Sequence, residues 1–82
     1  MIELEPFHKI VIKAVQSALQ DNDDEIGLKE DFEDFGIDSL DAMSVTLEIE
    51  KALNIEFPED FVLTSYSSVV ELHKHVNDNF EV

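Results

Sequence analysis

The sequence contains no cysteine and no arginine, and only two glycines and two prolines among its 82 residues. Without cysteine there is no disulfide, no thiolate metal site and no thiol nucleophile, which fits a reducing, cytoplasmic setting. Cations are scarce: five lysines stand against 20 Asp and Glu, a formal net charge of −15. No basic face can be assembled for a polyphosphate, so nucleic acid is excluded as a partner, and an anionic membrane surface is disfavoured for the same reason. No apolar run exceeds three residues, as in Phe61-Val62-Leu63, so no membrane insertion is expected. The opening Met1-Ile2-Glu3-Leu4-Glu5 is acidic and lacks the basic start and apolar core of a secretory leader.

What is present is an apolar fraction of 44%, with six phenylalanines. That is too apolar for an acidic disordered tail. The length suits a single domain, residues 1–82, of modest stability weakened by self-repulsion and helped by salt. The charge favours a monomer. A chain this short has little room for an enzyme pocket beside a core, so a binding or carrier module is expected rather than an enzyme.

With so little Gly and Pro to punctuate it, the sequence reads as helical. Phe7, Ile10, Val11, Ala14, Val15 and Ala18 repeat at helical spacing and predict a first helix from about Glu5 to Gln20, with Pro6 in its first turn. The polar stretch Asp21 to Glu25 ends it. A long loop then reaches about Asp38, pinned to the core by Leu28, Phe32 and Phe35, with Gly36 allowing a sharp entry to the next helix. That second helix runs from about Ser39 to Leu53, capped by Asp38, with Asp41 in its first turn and Asn54 at its left-handed end. It is apolar on more than one side: Leu40, Met43 and Leu47 mark one face, Val45, Ile49, Ala52 and Leu53 another. Pro58 opens a short helix from Glu59 to about Leu63. Ser68 and Glu71 match a capping box for a last helix to about Asn77, after which the chain is expected to fray. The fold class expected is all-α: a four-helix bundle of three longer helices and one short one, with a long loop between helices 1 and 2.

The informative segment is Phe35-Gly36-Ile37-Asp38-Ser39-Leu40-Asp41-Ala42-Met43. It places a serine hydroxyl at a helix N-terminus, where free backbone N–H groups and the positive dipole end favour an anion. Competing readings of this and neighbouring segments fail on chemistry. Ser39 lacks the flanking glycines of a nucleophile elbow, and acids on both sides oppose an oxyanion. An EF-hand loop begun at Asp21 has Ile26 where glycine is required and Phe32 at the bidentate position. Begun at Asn22, it puts Ile26 at a ligand position and Lys29 at the central apolar one. No metal site is expected. His8, His73 and His75 read as structural, and the two-residue spacing of His73 and His75 points them apart on a helix. Ser39 as a plain helix-start residue is the bland reading of the tripeptide.

Gly36 to Asp41, Gly-Ile-Asp-Ser-Leu-Asp, resembles the phosphopantetheine attachment site of acyl carrier proteins, and the order of elements resembles that family along nearly the whole chain. The resemblance implies that Ser39 receives 4′-phosphopantetheine from coenzyme A through a separate phosphopantetheinyl transferase. The arm's thiol would carry an acyl group as a thioester, supplying the thiol that the chain lacks. Acyl-loading and acyl-processing enzymes with basic patches would dock on Asp38, Asp41 and Glu48, with Glu50, Glu56 and Asp60 beyond, and on apolar Leu40 and Met43. Leu47, Ile49, Leu53, Phe57, Phe61 and Tyr66 would line an acyl cavity, although Leu47 and Met43 also sit at ordinary core spacing, a reading favoured for Leu47. The pathway the resemblance implies is fatty-acid, lipid or polyketide biosynthesis; Ser44, Lys51 and the apolar Phe61-Val62-Leu63 depart from the usual acidic pattern of fatty-acid carriers, which leaves a specialised carrier of a polyketide, a modified lipid or an aminoacyl group open beside the general fatty-acid one. The same fold occurs free-standing and as a domain of larger synthases. The alternative from another class is a small acidic interaction module that binds a basic partner through the same helix without a prosthetic group.

Overall fold

A computed structural model describes residues 1–19 and 24–82. It contains three α-helices: α1 (Leu4–Ala18), α2 (Ser39–Leu53) and α3 (Val69–Asn79), with a 3-10 turn at Leu63–Ser65 before α3 and no strand among the described residues. Helix α1 packs against both α2 and α3, and α2 against the 3-10 turn. Phe7, Val11, Ala14 and Val15 form the buried stripe of α1, with Ile10 and Ala18 half-buried beside it. Ala42, Val45 and Ile49 meet it from α2; Val69, Leu72 and Val76 meet it from α3.

The predicted end of α1 at Gln20 and the EF-hand registers from Asp21 and Asn22 fall wholly or partly outside the described residues. Beyond them, the long loop is anchored by Ile26, Phe32 and Ile37, all buried. Phe35 is half-buried against the core, whereas the side chain of Leu28, an expected pin, is exposed. Leu28 ties the loop down through its backbone instead, its carbonyl accepting from the Val70 N–H at 3.2 Å. Gly36 has φ +96°, a conformation that side-chain-bearing residues rarely adopt.

The helix expected over Glu59 to Leu63 does not form. A tight turn, closed by the Phe61 N–H donating to the Pro58 carbonyl at 3.0 Å, is followed by extended Val62 and then the 3-10 turn. Phe61 is half-buried, Val62 exposed and Leu63 buried. Two inward residues two apart satisfy an extended backbone but not one helix face. The short element is therefore displaced and tighter than predicted.

The C-terminal segment is held rather than frayed at Asn77. The Ile2 N–H donates to Asn77 Oδ1 at 2.9 Å, and Asn77 Nδ2 donates back to the Ile2 carbonyl at 3.0 Å. His73 Nε2 lies 2.8 Å from the same carbonyl. Phe80 then meets Phe57 edge-on, centroids 5.3 Å apart. The remaining histidines are likewise structural: His8 Nε2 is 2.6 Å from the Ile26 carbonyl, and His75 Nδ1 is 3.1 Å from the Tyr66 hydroxyl.

Candidate functional site

The N-terminus of α2 is built by three local devices. Positive-φ Gly36 turns the loop, and buried Ile37 anchors it. Asp38 then caps the helix, its Oδ1 accepting from the Asp41 N–H at 2.8 Å. That bond uses one of the orphan donors of the first turn and leaves the N–H groups of Ser39 and Leu40 at the helix end. Ser39 is exposed, its hydroxyl carried on the first helical residue. At the other end Asn54 closes the helix in the left-handed conformation, φ 55° and ψ 47°.

Ser39 stands on the shared rim of two cavities. One, of about 430 Å3, is lined by Glu33, Gly36, Ile37, Asp38, Ser39 and Thr64. The other, of about 380 Å3, runs down α2 past Ala42, Met43, Thr46, Leu47 and Glu50, facing the segment from Phe57 to Thr64. A third, of about 400 Å3, continues past Leu47 and Glu50 to Lys51, Ile55 and Glu56. Together they make a groove beginning at Ser39 and following the α2 stripe 39, 42/43, 46/47, 50, the spacing of one helix face. Its floor is buried, with Ala42, Phe57 and Leu63; its rim is exposed, with Met43, Leu47 and Val62. An exposed hydroxyl opening onto a mainly apolar groove fits a flexible arm attached there by a phosphodiester.

Polar groups in the groove are partly committed. The Thr46 hydroxyl donates to the Ala42 carbonyl at 2.7 Å, and Glu50 Oε2 accepts from the Phe57 N–H at 2.6 Å. The second bond fixes the chain after α2 against the helix and turns Glu50 toward the groove rather than toward an acidic outer stripe. Glu56 and Asp60 are exposed.

The expected site residues divide. Asp38, Leu40 and Met43 are exposed, Leu40 at 75% and Met43 at 65%, while Asp41 and Glu48 are half-buried on α2. Of the six expected cavity residues, Leu47, Phe57 and Phe61 line the groove. Ile49 does not: it is fully buried in the core. Leu53 packs against the core from the last turn of α2. Tyr66 is held against α3 by His75. Leu47, for which a core position is the ordinary reading, is 54% exposed, because the core side of α2 is already filled by Ala42, Val45 and Ile49. Thr46 was legible as a groove residue, seven positions after Ser39 and so on its face. Thr64 lines two of the cavities through a chain reversal that no local pattern announces.

A family model described as a phosphopantetheine attachment site matches residues 9–76, a span that contains the whole Ser39 groove. No curated protein and no solved structure matches the chain.

Proposed function

The chain belongs to the phosphopantetheine attachment site family, and from that premise we propose that it is an acyl carrier protein whose prosthetic arm is attached at Ser39. Domains of this family attach 4′-phosphopantetheine covalently, are modified by phosphopantetheinyl transferases, and carry cargo to partner enzymes without being catalytic themselves. The observation that carries the assignment of the residue is the exposed Ser39 hydroxyl on the rim of the α2 groove. When bound, the group supplies a thiol that holds acyl intermediates as thioesters.

In the loading step Ser39 Oγ forms a bond to the phosphorus of coenzyme A that bears the pantetheine. The pyrophosphate P–O bond breaks, adenosine bisphosphate leaves, and the hydroxyl proton passes to a base of the transferase. Asp38 holds the helix start, and the free N–H groups of the first turn favour the resulting phosphodiester anion. Leu40 and Met43 offer apolar contact to partners, while Asp38, Asp41 and Glu48 steer basic patches toward the arm. The cargo pathway in this reading is fatty-acid, lipid or polyketide biosynthesis, the departures at Ser44 and Lys51 favouring a specialised carrier. A monomer in the cytoplasm completes it, supported by the net charge and by the reducing conditions a free thiol needs. Among the described residues no helix is long and apolar enough to cross a membrane. The test is incubation with coenzyme A, magnesium and a broad-specificity transferase, followed by intact mass and peptide mapping. A gain of one phosphopantetheine on Ser39 is expected. No gain by the folded chain moves the weight to an interaction module without a prosthetic group.

A further inference from the structure

Three of the six residues expected to line an acyl cavity, Phe57, Phe61 and Tyr66, are packed on one another or on a shared neighbour. Phe57 and Phe61 stack face to face, centroids 4.0 Å apart and planes 9° from parallel. Phe61 stacks on Tyr66 at 5.5 Å and on His75 of α3 at 5.9 Å. Tyr66 and His75 are joined by the 3.1 Å hydrogen bond, and Phe80 meets both Phe57 and His75 edge-on, centroids 5.3 Å and 6.3 Å away. The column runs from the floor of the α2 groove to α3, and Phe57 and Phe61 belong to both: one side of this pair faces the groove, the rest of the column lies behind it. Edge-on contacts such as Phe57–Phe80 hold by more than the area they bury, and a close-packed interior resists insertion of further atoms.

The groove on the near side is sized for the arm rather than for arm and long chain together. Ser39 to Glu50 is eleven residues of helix, about 16 Å at the usual rise. An extended phosphopantetheine arm, at backbone-like reach per bond, is about 15 Å long. The thiol end of an arm laid along the groove therefore arrives at Leu47, Glu50, Lys51, Ile55 and Phe57, a shallow cavity open to solvent along exposed Leu47, Lys51 and Glu56.

Resting on the carrier reading above, we propose that the Phe57–Phe61 stack is a partition that closes the bundle interior to the cargo, so that this chain carries short acyl groups along the outside of α2 and does not enclose long ones. Phe61 is the specificity-determining residue, because it alone of the pair contacts both the groove-side phenylalanine and the Tyr66–His75 end of the column.

The test uses the full chain loaded from acetyl-, butyryl-, octanoyl- and palmitoyl-coenzyme A, each species verified by intact mass. Two readouts follow: the rate of thioester cleavage by hydroxylamine, and amide shift changes across the residues relative to the unacylated holo form. The proposal expects octanoyl and palmitoyl thioesters to be cleaved within about twofold of the butyryl one, since a chain left in solvent gains no protection. Shift changes fall on Met43, Thr46, Leu47 and Glu50, and Tyr66 and His75 are unmoved. Phe61→Ala slows octanoyl cleavage several-fold by opening the column, and Phe61→Leu, which keeps more of the packing, has an intermediate effect. Protection of the wild-type palmitoyl thioester by about tenfold or more, with shifts at Tyr66 and His75, overturns the proposal whether or not the variants fold. Failure of any coenzyme A derivative to load at Ser39 overturns the carrier reading itself and is seen at the mass step, before cleavage is measured.

Discussion

At the scale of single residues, the site depends on a few side chains with local jobs. Asp38 accepts one N–H of the α2 first turn, and Asp38→Ala is expected to cost about 1 kcal/mol in urea unfolding. Gly36 has open space where a Cβ would go, yet its φ of +96° is strained for any other residue. Gly36→Ala is thus expected to destabilise by about 1 kcal/mol through the backbone alone, with no steric clash. An unchanged urea midpoint for Gly36→Ala would mean that the loop relaxes to negative φ. Such residues were legible because their physics is local. An aspartate before a serine and an apolar run reads as a cap, glycine as a free φ, and Asn54 as a left-handed stop, and all three stand so. Ser39 as a surface hydroxyl was legible on the same grounds.

At the scale of elements, α2 carries two apolar faces with opposite duties. Ile49 is fully buried in the core, whereas Leu47, two residues earlier, is 54% exposed on the groove rim. Ile49→Ala is expected to lose about 2–5 kcal/mol of stability. Leu47→Ala is expected to change it by no more than about 0.5 kcal/mol, its effect appearing in the binding of arm or partner. Equal losses for the two in denaturant titrations would refute this division of the helix. Helical periodicity shows α2 apolar on more than one side, but which side meets the core depends on where α1 lies, and spacing alone therefore favours a core position for Leu47 that the structure does not give it. The segment from Phe57 to Ser65 was harder still. Only Phe61 to Leu63 alternates in and out, between a tight turn and the 3-10 turn, and Pro58 invites a helix that Phe61 and Leu63 cannot share. Ile26, fully buried, is a lone isoleucine in an acidic stretch with no periodicity to mark it as an anchor. Phe61 meets His75, and Phe57 meets Phe80, between segments distant in sequence, so the filling of the expected cavity is invisible in the chain itself.

At the scale of the whole molecule, a net charge of −15 on 82 residues works against compaction. The exposed Lys9–Glu5 pair at 3.9 Å does little to offset it. Long-range repulsion is screened by salt, with a Debye length of about 10 Å at 0.1 M. The melting temperature is therefore expected to rise as sodium chloride is raised from about 0.02 M to about 0.5 M. A flat or falling curve in scanning calorimetry would show that charge repulsion does not limit stability. Capture by a basic partner should move the opposite way and slow with salt, since the same field steers association.

The central claim, that the exposed start of α2 is an attachment point, is tested most directly by one comparison. Wild-type chain and Ser39→Ala are each incubated with coenzyme A, magnesium and a broad-specificity phosphopantetheinyl transferase, checked for helicity by circular dichroism, and weighed intact. The account predicts a gain of one phosphopantetheine by the wild type alone, with both chains equally helical. A gain by Ser39→Ala, or none by a folded wild type, would contradict it.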